Sequence, residues 1–115
     1  MDRVYHLSNC GTCQKILASL PKNSLKQIDI KQNPITPDEL DELAKLAGNY
    51  EALFSRKAML YKSLGLKDKN LTEKDYRKYI LEHYTFLSRP VFVIGNRIYI
   101  GNSKANVAAV IDALS

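Results

Sequence analysis

The sequence predicts an α/β fold in which a small mixed four-stranded sheet is interrupted by a helical insertion. Three observations carry this: a strand–helix–strand pattern over residues 3–30, an all-helical middle, and a strand–turn–strand–helix pattern that closes the chain. Each element follows from its residues.

Arg3 to Ser8 has the apolar-aromatic run of a buried strand, and Gly11 to Leu20 has helical spacing (Ile16, Leu17, Leu20) that Pro21 stops. Leu25 to Ile30 alternates, with Leu25 and Gln27 against Ile28 and Ile30, and reads as a second strand. A strand, a helix and a strand in so short a span form a βαβ unit, so the two strands should be parallel.

Thr36-Pro37-Asp38-Glu39 is a helix start with Thr as N-cap, Pro at the first helical position and acids in the first turn. That helix runs through Leu40, Leu43 and Leu46 to Ala47 and stops at Gly48-Asn49. From Tyr50 to about Leu66 the pattern is helical but interrupted, with Leu53, Phe54, Met59, Leu60, Tyr61 and Leu64 apolar and Gly65 as a C-cap. Thr72-Glu73-Lys74-Asp75 opens another helix through Tyr76, Tyr79, Ile80 and His83. Pro90 to Ile94 and Arg97 to Ile100, joined by Gly95-Asn96, form a hairpin signal, and a last helix runs from Ser103, its N-cap, to Leu114. The order βαβ, helices, ββα is that of a thioredoxin-type sheet with an insertion at about 36–86, and we expect residues 1–115 to be one domain.

Length and composition agree with this reading. A chain of 115 residues, 45% hydrophobic and 25% charged, suits one domain around a single core. No apolar run approaches the roughly 20 residues that cross a bilayer, and no leader pattern opens the chain, so a cytoplasmic protein off the membrane is expected. The net charge is +5, but bases alternate with acids (Lys67-Asp68-Lys69, Glu73-Lys74-Asp75), which describes solvated helix faces and not a direct nucleic-acid-binding surface. A weakly basic surface does attract oxyanions or acidic partners. We expect a monomer.

Function concentrates in Cys10-Gly11-Thr12-Cys13, at the junction of the first strand and first helix. There the free N–H groups and dipole of the helix favour a thiolate over a thiol. The only two cysteines are spaced as an attacking and a resolving thiol, and Cys13, one turn along the helix, shares the face of Cys10. The alternatives are buried structural cysteines, Cys13 being a small core residue behind the nucleophile. A metal site is not expected: a four-ligand site needs two more Cys or His, and only His6 and His83 exist. His6 precedes Cys10 on the strand within reach of it, or is simply a core histidine. Arg89, held extended by Pro90, offers the donor fork that suits a tetrahedral oxyanion or a carboxylate. Arg56 and Lys57 are further basic candidates, or part of a solvated face.

Four segments in order now carry a resemblance: Tyr5-His6 followed by Asn9-Cys10-Gly11-Thr12; Ile28-Asp29-Ile30; Tyr61-Lys62-Ser63-Leu64-Gly65-Leu66; and Ser88-Arg89-Pro90-Val91. The chain resembles the arsenate reductase family that uses glutathione and glutaredoxin, whose wider membership includes Spx-type redox regulators of RNA polymerase. The resemblance implies a thioredoxin-like fold. It makes Cys10 the nucleophile, His6 the histidine near the thiol, Arg89 the oxyanion ligand with Gly11 and Thr12 beside it, and Pro90 the cis-proline. It puts a further basic ligand in the neighbourhood of Arg56-Lys57, with Ser55 as another match. No bound cofactor is implied; glutathione is the expected co-substrate, and glutaredoxin or thioredoxin the expected partner. Two departures stand out: Gly101-Asn102 where arsenate reductases carry another arginine, and Cys13 where the glutaredoxin-coupled enzymes commonly have Ser and the regulators have Cys. The resemblance therefore implies an arsenate reductase-like thiol oxidoreductase or, alternatively, a regulator switched by a Cys10–Cys13 disulfide.

Overall fold

The structure is a computed structural model that describes residues 2–8, 10–20 and 25–114. Its chain divides into two compact units, one of Met1–Asn33 with Arg89–Ser115 and a second of Pro34–Ser88.

The first unit is built on a four-stranded sheet in the order β2-β1-β3-β4. Strand β1 (Arg3–His6) lies parallel to β2 (Lys26–Asp29), with Arg3 opposite Lys26 and His6 opposite Asp29. On its other side β1 runs antiparallel to β3 (Val91–Ile94), which pairs with β4 (Arg97–Ile100). The sheet is thus mixed, as the element order predicts. Both strands of the βαβ unit are shorter than their apolar runs: Leu7 and Ser8 fall beyond β1, and Leu25 and Ile30 flank β2, because pairing ends where the chain turns into its loops. Ile30 is nonetheless buried, its N–H donating to the His6 carbonyl at 3.0 Å.

Helix α1 (Gly11–Ser19) and helix α5 (Lys104–Leu114) cover one face of the sheet. Val4 of β1 and Phe92 of β3 meet Ile16 of α1 and Val110 of α5, with Leu17, Leu20, Val107 and Leu114 packed around them. Tyr5, Val91 and Val93, on the opposite face, are buried too, which is why these strands read as continuous apolar runs. Gly95, at φ +64, and Asn96 form the two-residue hairpin turn, and the Gly95 N–H donates to Asp2 Oδ1 at 2.9 Å. Ser103 Oγ accepts from the Asn106 N–H at 3.1 Å, the expected cap of α5. Pro21, named above as the stop for α1, lies outside the described residues; α1 ends at Ser19 with Leu20 as its C-cap.

The second unit holds α2 (Pro37–Ala47), α3 (Met59–Ser63) and α4 (Glu73–Glu82). Thr36 and Glu39 close a reciprocal capping box at 3.1 Å in each direction, and Gly48 ends α2 at φ +98. Replacing Thr36 by Ala should cost about 1 kcal/mol, because the Glu39 N–H loses its partner; urea unfolding followed by circular dichroism measures it, and an unchanged midpoint would contradict the capping role.

The interrupted stretch from Tyr50 resolves into a 3-10 turn (Glu51–Leu53), the short α3 and a second 3-10 turn (Leu66–Asp68). Met59 and Leu64 stay exposed, because the five-residue α3 buries none of its residues fully and only Leu60 and Tyr61 are half-buried. A third 3-10 turn, Tyr84–Phe86, follows α4 and has no counterpart in the helical periodicity. It places Phe86 against Phe54, rings stacked with centroids 5.1 Å apart. Backbone bonds from Ser55 N to Phe86 O (2.7 Å) and from Ser88 N to Leu53 O (2.8 Å) clamp the two segments together. Arg77 grips Asp41 with two N–H groups at 2.8 and 3.2 Å, and the Tyr50 hydroxyl donates to the same carboxylate. No helix among the described residues is long and apolar enough to cross a membrane.

Candidate active site

Cys10 is the N-cap of α1, in extended backbone (φ −97, ψ 112), and its carbonyl accepts the first helical bond from Gln14 N at 3.0 Å. Its own N–H donates back to the Leu7 carbonyl at 3.1 Å, so the loop from β1 turns tightly into the helix. Ser8 steadies that loop from β2: its hydroxyl and, at 3.4 Å, its N–H donate to Asp29 Oδ2, while Lys31 N donates to Oδ1 at 2.9 Å. These donors, the Ser8 hydroxyl first, hold the Asp29 carboxyl below the usual carboxylate range. Asn9, between Ser8 and Cys10, lies outside the described residues.

The two thiols are free and differ in environment. Cys10 is partly exposed, and its pKa lies below that of an ordinary cysteine. The backbone N–H of Cys13 is the main cause, a looser contact than a formal side-chain cap; partial burial works against it. The Cys13 thiol, the Thr12 N–H and the positive charge of Arg89 add to the lowering. Cys13 is 1% exposed, and this burial pushes its thiol up, helped by the neighbouring Cys10 sulfur and opposed chiefly by the Leu7 N–H. Environment therefore splits two identical side chains into a partly exposed thiol that ionises more readily than an ordinary cysteine and a buried one that ionises less readily.

Alkylation should report the split. Iodoacetamide should label Cys10 from a lower pH than free cysteine, since its thiolate fraction rises earlier, and Cys13 only at higher pH. Quenched time points read by mass spectrometry over a pH series measure both midpoints, and coincident midpoints would overturn the assignment.

The other residues singled out in the sequence fall as follows. Gly11 and Thr12 open α1 and are exposed, and a Cβ at Gly11 would meet no atom within 4 Å beyond its own helix and chain neighbours. Arg89 is half-buried and its charge acts on both sulfurs. The Arg89–Pro90 peptide bond is cis, and Pro90 O accepts from Gly101 N at 2.9 Å, which ties the start of β3 to the end of β4. His6 is 5% exposed at the end of β1, and its Nδ1 has no hydrogen-bond partner among the described residues. Arg56 and Lys57 belong to the second unit, where Arg56 Nη2 donates to Glu51 Oε2 at 2.8 Å and to the Tyr76 hydroxyl at 3.0 Å. The Leu7 N–H was not legible as part of the site: a backbone group leaves no signal in residue type.

A mixed four-stranded sheet with a split thiol pair at its first strand–helix junction defines a thioredoxin-like thiol protein. The chain belongs to the ArsC family, whose sequence profile matches residues 5–110. It is 28% identical over 112 residues to an arsenate reductase of Haemophilus influenzae, covering 94% of this chain and 97% of that one. It is equally 28% identical, over 102 residues, to the global transcriptional regulator Spx 2 of Bacillus anthracis, covering 85% and 77%. Among solved structures, an arsenate reductase from Vibrio cholerae has the same fold, with a TM-score of 0.80 at 23% identity over 98% of this chain and 97% of that one. The chain is thus an arsenate reductase-like family member with Spx-type relatives at the same distance.

Proposed function

We propose that the protein is a dithiol oxidoreductase in which Cys10 is the nucleophile and Cys13 the resolving thiol. The split environment of the pair supports this reading: the more accessible sulfur ionises the more readily, and burial favours the protonated form of the other. With a disulfide substrate, Cys10 thiolate attacks one sulfur and the other leaves as a thiolate that takes up a proton. Cys13 then loses its proton and attacks Cys10, expelling the second substrate thiol. Two electrons reach the substrate and a Cys10–Cys13 disulfide remains, to be reduced by a dithiol of the glutaredoxin or thioredoxin type.

Arsenate is the oxyanion substrate suggested by the arsenate reductase relatives. Cys10 would displace a hydroxyl from arsenic, released as water, and attack of a second thiol on Cys10 would leave the electron pair on arsenic as arsenite. Either Cys13 or glutathione supplies that thiol. Arg89 stabilises the negative charge beside Cys10, and the exposed Gly11 and Thr12 offer the N–H groups of the first helical turn to an oxyanion. His6 is the candidate for orienting the loop that bears the thiol.

A second reading follows from Cys13 and from the Spx relative: a regulator whose disulfide state sets its affinity for RNA polymerase. One experiment separates the two. NADPH oxidation is followed with arsenate or a small disulfide, coupled either to glutathione, glutaredoxin and glutathione reductase or to thioredoxin and its reductase. Turnover supports the enzyme and the coupling system that works names the donor. No turnover in either system, together with polymerase binding that changes on oxidation, overturns the enzyme in favour of the regulator.

A further inference from the structure

The second unit carries an open groove of about 920 Å³ along α3. We propose that it docks an acidic segment of a partner protein, one that presents carboxylates around a large apolar side chain. Arg56, Lys57, Lys62 and Lys67 line the groove, and no lining residue among those described is acidic. Arg56 already binds a carboxylate, Glu51, at its margin. Among the described residues Lys57, Lys62 and Lys67 form no ion pair, so three cations face the groove uncompensated. Scattered surface lysines are ordinary, but here they surround a concavity whose wall includes Met59, 87% exposed. A flexible, polarisable Met in a basic rim suits an apolar anchor flanked by acids.

Two competing occupants fit less well. Space of this size is far larger than a tetrahedral oxyanion needs, since pockets of roughly 300–1,000 Å³ hold drug-sized molecules. Single-stranded nucleic acid binds by stacking on free aromatic faces. Tyr61 is the only aromatic lining residue among those described, and its ring already meets Phe54 edge-on at 6.0 Å.

The test uses the full chain and a fluorescein-labelled synthetic peptide of Glu, Asp and Leu, with an amide twin in which Gln and Asn replace the acids. Anisotropy should show saturable binding of the acidic peptide that weakens with salt, and no binding of the amide twin. Lys62→Glu with Lys67→Glu should weaken it about tenfold or more, and Met59→Ser should weaken it at unchanged salt dependence. Circular dichroism confirms that each variant is folded, and Cys10→Ser should bind as the intact protein does. Amide shifts in a two-dimensional NMR spectrum should map to residues 56–67. Equal binding of both peptides, shifts elsewhere, stronger binding of inorganic phosphate at the same residues, or preference for a single-stranded oligonucleotide would each overturn the proposal.

Discussion

Serine in place of Cys10 should lower kcat/KM for thiol-dependent reduction by about three orders of magnitude or more. A hydroxyl at the N-terminus of α1 keeps its proton at neutral pH even with the Cys13 and Thr12 N–H groups and Arg89 aimed at it, because its pKa starts far above that of a thiol. Cys13→Ser distinguishes the route. If Cys13 resolves the covalent species, the variant stalls after one turnover and mass spectrometry finds the substrate thiol attached to Cys10. If glutathione resolves it, turnover persists near the intact rate. The coupled NADPH assay on the three proteins measures both, and a Cys10→Ser protein as active as the intact one would remove Cys10 from the chemistry.

Phe86→Ala should destabilise the protein by about 3–5 kcal/mol, a large part of the roughly 5–15 kcal/mol that holds a small domain folded. Phe86 is fully buried, stacked on Phe54 at 5.1 Å and tilted against Tyr79 at 5.6 Å, and His83 meets its edge at 5.9 Å. Truncation leaves a cavity that the backbone clamp between Leu53–Ser55 and Phe86–Ser88 cannot collapse, since hydrogen bonds hold both walls in place. Phe86→Leu retains most of the volume and should cost far less. Urea unfolding of the two variants beside the intact protein gives both values; equal, small losses would show that the aromatic cluster is not what holds this unit together.

The two substitutions also differ in how visible their importance is in the sequence. Cys10-Gly11-Thr12-Cys13 is legible because everything that defines it is local: a strand ends, a helix starts, and the spacing of one turn puts both sulfurs on one side. The same holds for the capping box of Thr36 and Glu39, the turn at Gly95-Asn96 and the cap at Ser103, each made within a few residues. Phe86 lay hidden because it sits in a 3-10 turn too short to show a period, and its partner Phe54 sits in a stretch whose apolar spacing fits a helix that does not form there. The exposure of Met59 was equally hidden, as an apolar residue in a helical pattern is ordinarily taken for core.

The sequence alone therefore determined the order of strands and helices, the mixed character of the sheet and the location of the thiol pair, since periodicity, capping and turn chemistry act over one or two turns of chain. Cys10 as the attacking thiol was already an expectation from the sequence; only tertiary structure supplied the surroundings that lower its pKa and raise that of the buried Cys13. They depend on burial of Cys13, on the Leu7 N–H and on Arg89, brought beside Cys10 by the antiparallel pairing of β1 with β3. It also decided that four cations of the second unit frame one groove. Charge, burial and concavity are properties of groups that meet in space, and residues distant along the chain acquire them only once it has folded.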